Sequence, residues 1–274
     1  MNPSKGFHTG EVTANRHLAR DHYIMALNLF SCLPEPMPGQ FVMVRLKGRE
    51  ELFLGRPFSL YQYEASGTKA SIEILYRVVG KGTRLLSHLR GGDFLEIFGP
   101  HGRPFHIDGC ADQVILIAGG VGVAPISYLA SYLKKHQQNG NEKMVCYLGA
   151  KTADTLLGMD RLKEVSQSVH ISTDDGSVGY HGTVTECFTH DRPFYDQNRS
   201  VIFACGPAPM LKHLSEVLRD HPMPCQILLE QRMACGIGAC LGCAVEVKGA
   251  GGQNAYARVC KEGPVFNIRD VIWE

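Results

Sequence analysis

Four cysteines in the last forty residues, Cys235, Cys240, Cys243 and Cys260, read C-x4-C-x2-C with the fourth after a further sixteen residues. That is the plant-type ligand spacing of a [2Fe–2S] cluster. The residues between the first three, Gly236, Ile237, Gly238, Ala239, Leu241 and Gly242, are small or apolar. A backbone of that kind can wrap closely round a cluster and aim amide hydrogens at its sulfurs. A zinc site is the competing reading, but zinc motifs usually pair two C-x2-C knuckles, and only one such pair is present here. The spacing predicts an iron–sulfur centre and, with it, an electron carrier.

The rest of the composition sets bounds. A chain of 274 residues has room for two or three domains, and 44% hydrophobic with 20% charged residues describes an ordinary globular protein. A net charge of +1 argues against bulk attraction to nucleic acid or to an anionic membrane. The chain opens Met-Asn-Pro-Ser-Lys-Gly-Phe-His, without the apolar stretch of a secretion signal, so its ten cysteines are expected to be thiols in a cytoplasmic protein rather than a disulfide framework. Cys32, Cys110, Cys146, Cys187 and Cys225 show no ligand spacing and read as small core residues. Residues 114–133 carry no charge over twenty positions, long enough for a membrane span, yet Gly119, Gly120, Gly122 and Pro125 would interrupt a lipid-exposed helix. A buried strand, a glycine turn and a buried helix account for the stretch instead.

Three regions follow from the periodicity. Residues 1–109 contain short strand-like runs, Tyr23–Leu29, Gln40–Arg45, Phe58–Tyr63, Ser71–Val78 and Phe94–Phe98, with one helix at Thr83–Leu89. They predict a small antiparallel β-barrel. Residues 110–229 alternate buried strands with amphipathic helices, as an α/β parallel-sheet nucleotide domain does. Residues 230–274 hold the cysteines and are too few for a core of their own, so the cluster is expected to staple them.

Within the barrel, Arg56-Pro57-Phe58-Ser59 and the later Tyr76-Arg77, with Gly82-Thr83 opening the helix, supply cations, an apolar strand edge and a close-approach glycine. A flavin dinucleotide requires all three. In the second region Gly119, Gly120 and Gly122, followed by Pro125, come between a buried strand and a helix, the setting of a nucleotide-binding loop, although Pro125 departs from the usual dinucleotide fingerprint. Cys205-Gly206-Pro207 ends another buried strand, where the thiol is expected to face the ligand crevice and touch a nicotinamide. Asp174 and Asp175 end a third strand and would bond a ribose hydroxyl while repelling a 2′-phosphate, which favours NADH over NADPH.

Taken in order, these segments resemble the ferredoxin–NADP reductase superfamily. The C-terminal run from Met233 to Cys243, with Tyr256–Cys260 and Lys261–Phe266, narrows the likeness to electron-transfer subunits of class 1B dihydroorotate dehydrogenase. The resemblance implies FAD at Arg56–Ser59, Leu75–Arg77 and Gly82-Thr83, NAD on the second domain, and a [2Fe–2S] cluster on the four cysteines. It also implies a hetero-oligomer with an FMN-bearing catalytic subunit that oxidises dihydroorotate. The interval from Cys243 to Cys260 is slightly long and reads as an extended hairpin turn over Lys248–Gln253. Reductase subunits serving a ferredoxin or a hydrogenase share the same parts. A zinc-stabilised nucleotide-binding regulator is the alternative from another class, and a colourless protein would betray it.

Overall fold

The computed structural model describes residues 6–31, 33–46, 48, 54–107, 112–136 and 143–273. It falls into two compact units. The first, up to Pro104 with Gln231–Ala244 and Arg258–Pro264, is built on seven strands. These are β1 (Gly6–Ala19), β2 (His22–Leu29), β3 (Phe41–Leu46), β4 (Arg56–Ser59), β5 (Gln62–Ser66), β6 (Lys69–Arg77) and β7 (Phe94–His101), with helix α1 (Lys81–Ser87) after β6. Every pairing is antiparallel, in the order β4-β3-β7-β1-β2-β6-β5. The two outermost strands, β4 and β5, are separated by Leu60 and Tyr61 alone. A sheet whose edges are joined by so short a link must curl round on itself, which gives the expected barrel. Alternate residues line its interior: Val12, Leu27, Leu29, Val42, Leu95 and Ile97 are completely covered.

The second unit contains β8 (Gln113–Gly119), α2 (Val123–His136), β9 (Lys143–Ala150), α3 (Met159–Val165), β10 (Ser168–Thr173), β11 (Tyr180–His181), α4 (Val184–Asp191), β12 (Ser200–Cys205), α5 (Ala208–Val217) and β13 (Cys225–Leu228). Its sheet runs β11-β10-β9-β8-β12-β13-β16, where β16 is Val265–Asn267, and is parallel throughout except for that last strand. Consecutive residues Val114 to Ala118 are all fully buried, so both faces of β8 are covered. The helix pairs α2–α3 and α4–α5 provide that cover. Winding starts at β8, with β9 and β10 to one side and β12 and β13 to the other, so the reversal of strand order lies between β8 and β12. Ligands of such sheets bind at that reversal, beyond the carboxyl ends of the strands.

The C-terminal segment, expected as a third domain over 230–274, is shared between the units. β14 (Ala244–Lys248) and β15 (Asn254–Arg258) form the expected hairpin, whose turn closes with the Gly249 amide donating to Gln253 O at 2.7 Å. β16 (Val265–Asn267) pairs antiparallel with β13 in the nucleotide unit. Gly236 sits on Met43 of the barrel so closely that a Cβ there would come 2.6 Å from the methionine Cγ. A segment without its own core has borrowed two.

Other differences are local. The run Phe58–Tyr63 is broken into β4 and β5, and α3 begins at Met159, after Gly158 at φ +73°. β1, β11, α4, β15 and β16 carried no clear signal. Cys146, Cys187 and Cys225 are buried as expected, whereas Cys32 and Cys110 lie outside the described residues. The uncharged stretch 114–133 is β8, a turn and α2; among the described residues no helix is long and apolar enough to cross a membrane.

The turn after β8 packs directly on the end of β12: a Cβ on Gly122 would stand 2.3 Å from Cys205 O and 2.8 Å from Gly206 N. Because backbone cannot move aside as a side chain can, Gly122→Ala is expected to destabilise the protein by about 1–3 kcal/mol, measured by denaturant unfolding.

Candidate functional site

The ligand loop turns on three residues of left-handed backbone, Gly236 (φ +71°), Gly238 (φ +82°) and Leu241 (φ +61°). Two of them are glycines, for which that conformation is free of Cβ strain. The turns gather the thiols in pairs. Cys243 and Cys260 are buried with their sulfurs 3.2 Å apart, and Cys235 bonds the Cys240 side chain. Two thiols per metal is what a two-iron cluster requires of four cysteines.

Metal ligation needs thiolates. Burial raises the Cys235 thiol, but bonds from the Ile237 and Cys240 amides, the Cys240 side chain and the Ala239 amide outweigh it and bring the thiol down to about 6. Burial and then the proton shared with Cys243 push Cys260 up to about 12, so loading metal on that pair displaces a proton.

The two flavin segments meet. Arg56 of β4 lies over the first turn of α1, where a Cβ on Gly82 would come 2.3 Å from its Nε and 2.7 Å from its Cζ. Its Nη1 donates to Leu54 O. Thr83 Oγ1 accepts from the Val79 amide at 2.9 Å and the Gly80 amide at 3.2 Å, fixing the loop that leads into α1. Pro57, which has no amide to donate, stands on an outermost strand of the ladder, with Phe58 and Ser59 half-buried beside it. The cradle fits a flavin dinucleotide: two cations, Arg56 and the exposed Arg77, and an apolar strand edge. Leu75 and Tyr76 do not present side chains to it. They are 5% and 3% exposed, and Tyr76 packs on Phe58 and Tyr23. These two can serve only through backbone or by supporting Phe58.

In the nucleotide unit, Gly119, Gly122 and Gly206 are buried and serve contact between the turns after β8 and β12; a Cβ on Gly119 or Gly206 would lie 2.5 Å from Met210. Gly120, at φ +54° with open space where a Cβ would be, is the glycine left free to approach a phosphate. Pro125 is buried within the first turn of α2, and Pro207 is exposed. The Cys205 thiol, expected to face the crevice, is completely buried; burial and then the nearby Glu230 charge hold it well above the usual thiol range. As the structure stands it is a protonated packing group at the strand end. Asp174 is exposed, while the Asp175 carboxylate closes its own turn by accepting from the Ser177 amide at 3.0 Å and hydroxyl at 2.6 Å.

Two residues escaped the sequence reading. Asn15 of β1 donates to Leu86 O and Leu89 O at 2.9 and 3.1 Å and accepts from the Tyr76 hydroxyl at 3.1 Å, tying β6 to the end of α1. With β1 unrecognised, nothing singled it out. Glu230 precedes the cluster loop; surrounding protein raises its carboxyl above the usual range although the residue keeps exposed surface.

Cys240→Ser is expected to abolish the visible absorption of the cluster and lower iron content; undiminished iron would remove Cys240 from the ligand set. Gly82→Ala is a sharper probe of the flavin cradle. Alanine suits a helix better than glycine, by about 1 kcal/mol, so stability should hold, while the new methyl displaces the Arg56 guanidinium. Losing one charge-assisted contact, about 1.5–3 kcal/mol, should weaken FAD binding roughly tenfold to a hundredfold, read as flavin retained through dialysis.

Comparison with known proteins agrees with this arrangement. Residues 230–272 match the iron-sulfur cluster binding domain of dihydroorotate dehydrogenase B, and residues 116–216 match the oxidoreductase NAD-binding domain. The dihydroorotate dehydrogenase B (NAD(+)) electron transfer subunit of Caldanaerobacter subterraneus subsp. tengcongensis is 39% identical, over 96% of this chain and 97% of the relative. That of Desulforamulus reducens is 36% identical over 96% and 97%. Among solved structures, an NADH-dependent reduced ferredoxin-NADP oxidoreductase superposes with a TM-score of 0.80 at 29% identity, covering all of this chain and 92% of that one. The cytochrome b5 reductase domain of Ulva prolifera nitrate reductase, at 19% identity and a TM-score of 0.60 over 79% and 94%, shares the fold. With identity at the level of the first two relatives across nearly its whole length, the chain belongs to the family of dihydroorotate dehydrogenase B electron transfer subunits.

Proposed function

We propose that this chain carries electrons between NAD and an FMN-bearing catalytic subunit that oxidises dihydroorotate to orotate, in cytoplasmic pyrimidine biosynthesis. The observation that carries the reading is the pairing of four thiols by a loop that also exposes apolar side chains: Ile237 is 51% and Leu241 63% exposed. Such exposure in the loop that holds the ligands suits a lasting docking contact through which electrons leave. When bound, FAD would supply hydride exchange with NAD and single-electron exchange with a [2Fe–2S] cluster.

The residues of the chain hold and orient these groups. Arg56 and Arg77 neutralise the flavin pyrophosphate, Phe58 and Ser59 seat the ring, and the amides near Gly82-Thr83 approach phosphate. Cys235, Cys240, Cys243 and Cys260 ligate the cluster in two pairs. Gly120 and the turn ending at Pro207 border the nicotinamide nucleotide, and Asp174 accepts from a ribose hydroxyl, a place where a 2′-phosphate would be repelled. NAD is accordingly the preferred coenzyme. The likeness to the ferredoxin-NADP oxidoreductase supports a second reading, in which the acceptor is a ferredoxin-type protein.

Co-expression with the catalytic subunit separates the readings. The pair should elute as one complex and reduce NAD⁺, in preference to NADP⁺, when given dihydroorotate. Ile237→Asp should release the subunits while NADH still bleaches this chain's own flavin. A variant complex that stays intact with full coupled activity would put the interface elsewhere, and a preference for NADP⁺ would remove Asp174 from the ribose site.

A further inference from the structure

Arg258, the last residue of β15, is fastened more firmly than any barrel or strand function requires. Its Nε donates to Glu262 Oε2 at 2.9 Å and its Nη2 to Glu262 Oε1 at 2.5 Å, a two-pronged contact one helical turn apart in sequence. Its backbone amide donates to the same carboxylate at 2.8 Å, and its carbonyl accepts from the Lys261 and Glu262 amides at 3.0 and 2.9 Å. One nitrogen remains. Nη1 donates at 2.7 Å to the carbonyl of Gly238, midway between the ligands Cys235 and Cys240.

That carbonyl belongs to the same rigid peptide as the Ala239 amide. A trans peptide is planar, with its C=O and N–H pointing in opposite directions, so whatever fixes one fixes the other. The Ala239 amide donates to Cys235 Sγ at 3.3 Å. Gly238 itself stands at φ +82°, and a Cβ there would meet Lys261 at 2.7 Å, so the turn that presents this peptide depends on glycine. Without a grip on its oxygen, a peptide next to such a residue is free to rotate its N–H away.

We infer that Arg258 is a positioning residue of the iron–sulfur site: by holding the Gly238 carbonyl it keeps the Ala239 N–H aimed at Cys235 Sγ, and Glu262 holds the guanidinium in place to do so. An amide bonded to a cluster sulfur stabilises the more negative, reduced form, so the contact raises the reduction potential. The inference rests on the four cysteines being cluster ligands, which iron and sulfide analysis of the wild-type chain tests separately.

Arg258→Lys and Glu262→Asp change no charge but destroy the fork, since an ammonium cannot reproduce two parallel N–H bonds and the shorter carboxylate cannot reach both nitrogens. In the purified holoprotein, both variants should keep wild-type iron content and an unchanged flavin potential. Their cluster midpoint potential should fall, and pulsed EPR of the reduced cluster in D2O should show one fewer coupled exchangeable deuteron. Unchanged potential and deuteron coupling in fully loaded variants would overturn the inference. So would loss of iron from both, which would make the pair a general prop of the loop rather than the setting of one peptide.

Discussion

About forty-five residues cannot bury enough apolar surface to offset the entropy of ordering them. Residues from Gln231 onward meet that constraint by lodging in both units, and the cluster site follows from where they lodge. One part lies on the barrel through the contact between Gly236 and Met43; another extends the nucleotide sheet through β16. The thiols then close on one another across the hairpin, with Cys243 and Cys260 buried together at 3.2 Å. Metal binding, folding of this segment and placement of the ligand loop are therefore one process, since thiolates cannot be collected without the surrounding turns.

The same economy runs through the other two sites. Each is formed where a glycine lets a neighbour come closer to its backbone than a side chain would allow: the Arg56 guanidinium over Gly82, and the backbone at the end of β12 against Gly122. At the first, the close approach leaves a guanidinium over the turn into α1. At the second, it brings the turns after two neighbouring parallel strands together at the reversal of strand order. The glycines are structural before they are functional, and only Gly120 in the β8–α2 turn has open space around it.

Much of this was legible in the sequence because the strongest signals were local. Cysteine spacing marked the four thiols that the fold gathers in pairs, and the long uncharged run after Gln113 gave β8 and α2. What was lost had weak local contrast. β1 carries Thr, His, Glu, Asn and Arg among its fourteen residues, most of them exposed or half-buried, with two register shifts that break its alternation, so the strand was missed and Asn15 with it. β16 is three residues long and exists through its partner β13. Burial is likewise set by tertiary packing: nothing local showed that Tyr76 turns inward against Phe58, or that the thiol of Cys205 is sealed from its crevice.

The shortness of the outer strands has a consequence for handling the subunit by itself. The nucleotide sheet ends in β11, two residues long, on one side and in β16, running against its neighbours, on the other. Long, flat edges recruit strands from other molecules, and brief or reversed ones do not. Self-association through backbone pairing is thus disfavoured at both ends of the nucleotide sheet. The exposed apolar side chains of the ligand loop are then one place where the isolated chain is sticky, and a mild detergent or a polar substitution there should help to keep it dispersed.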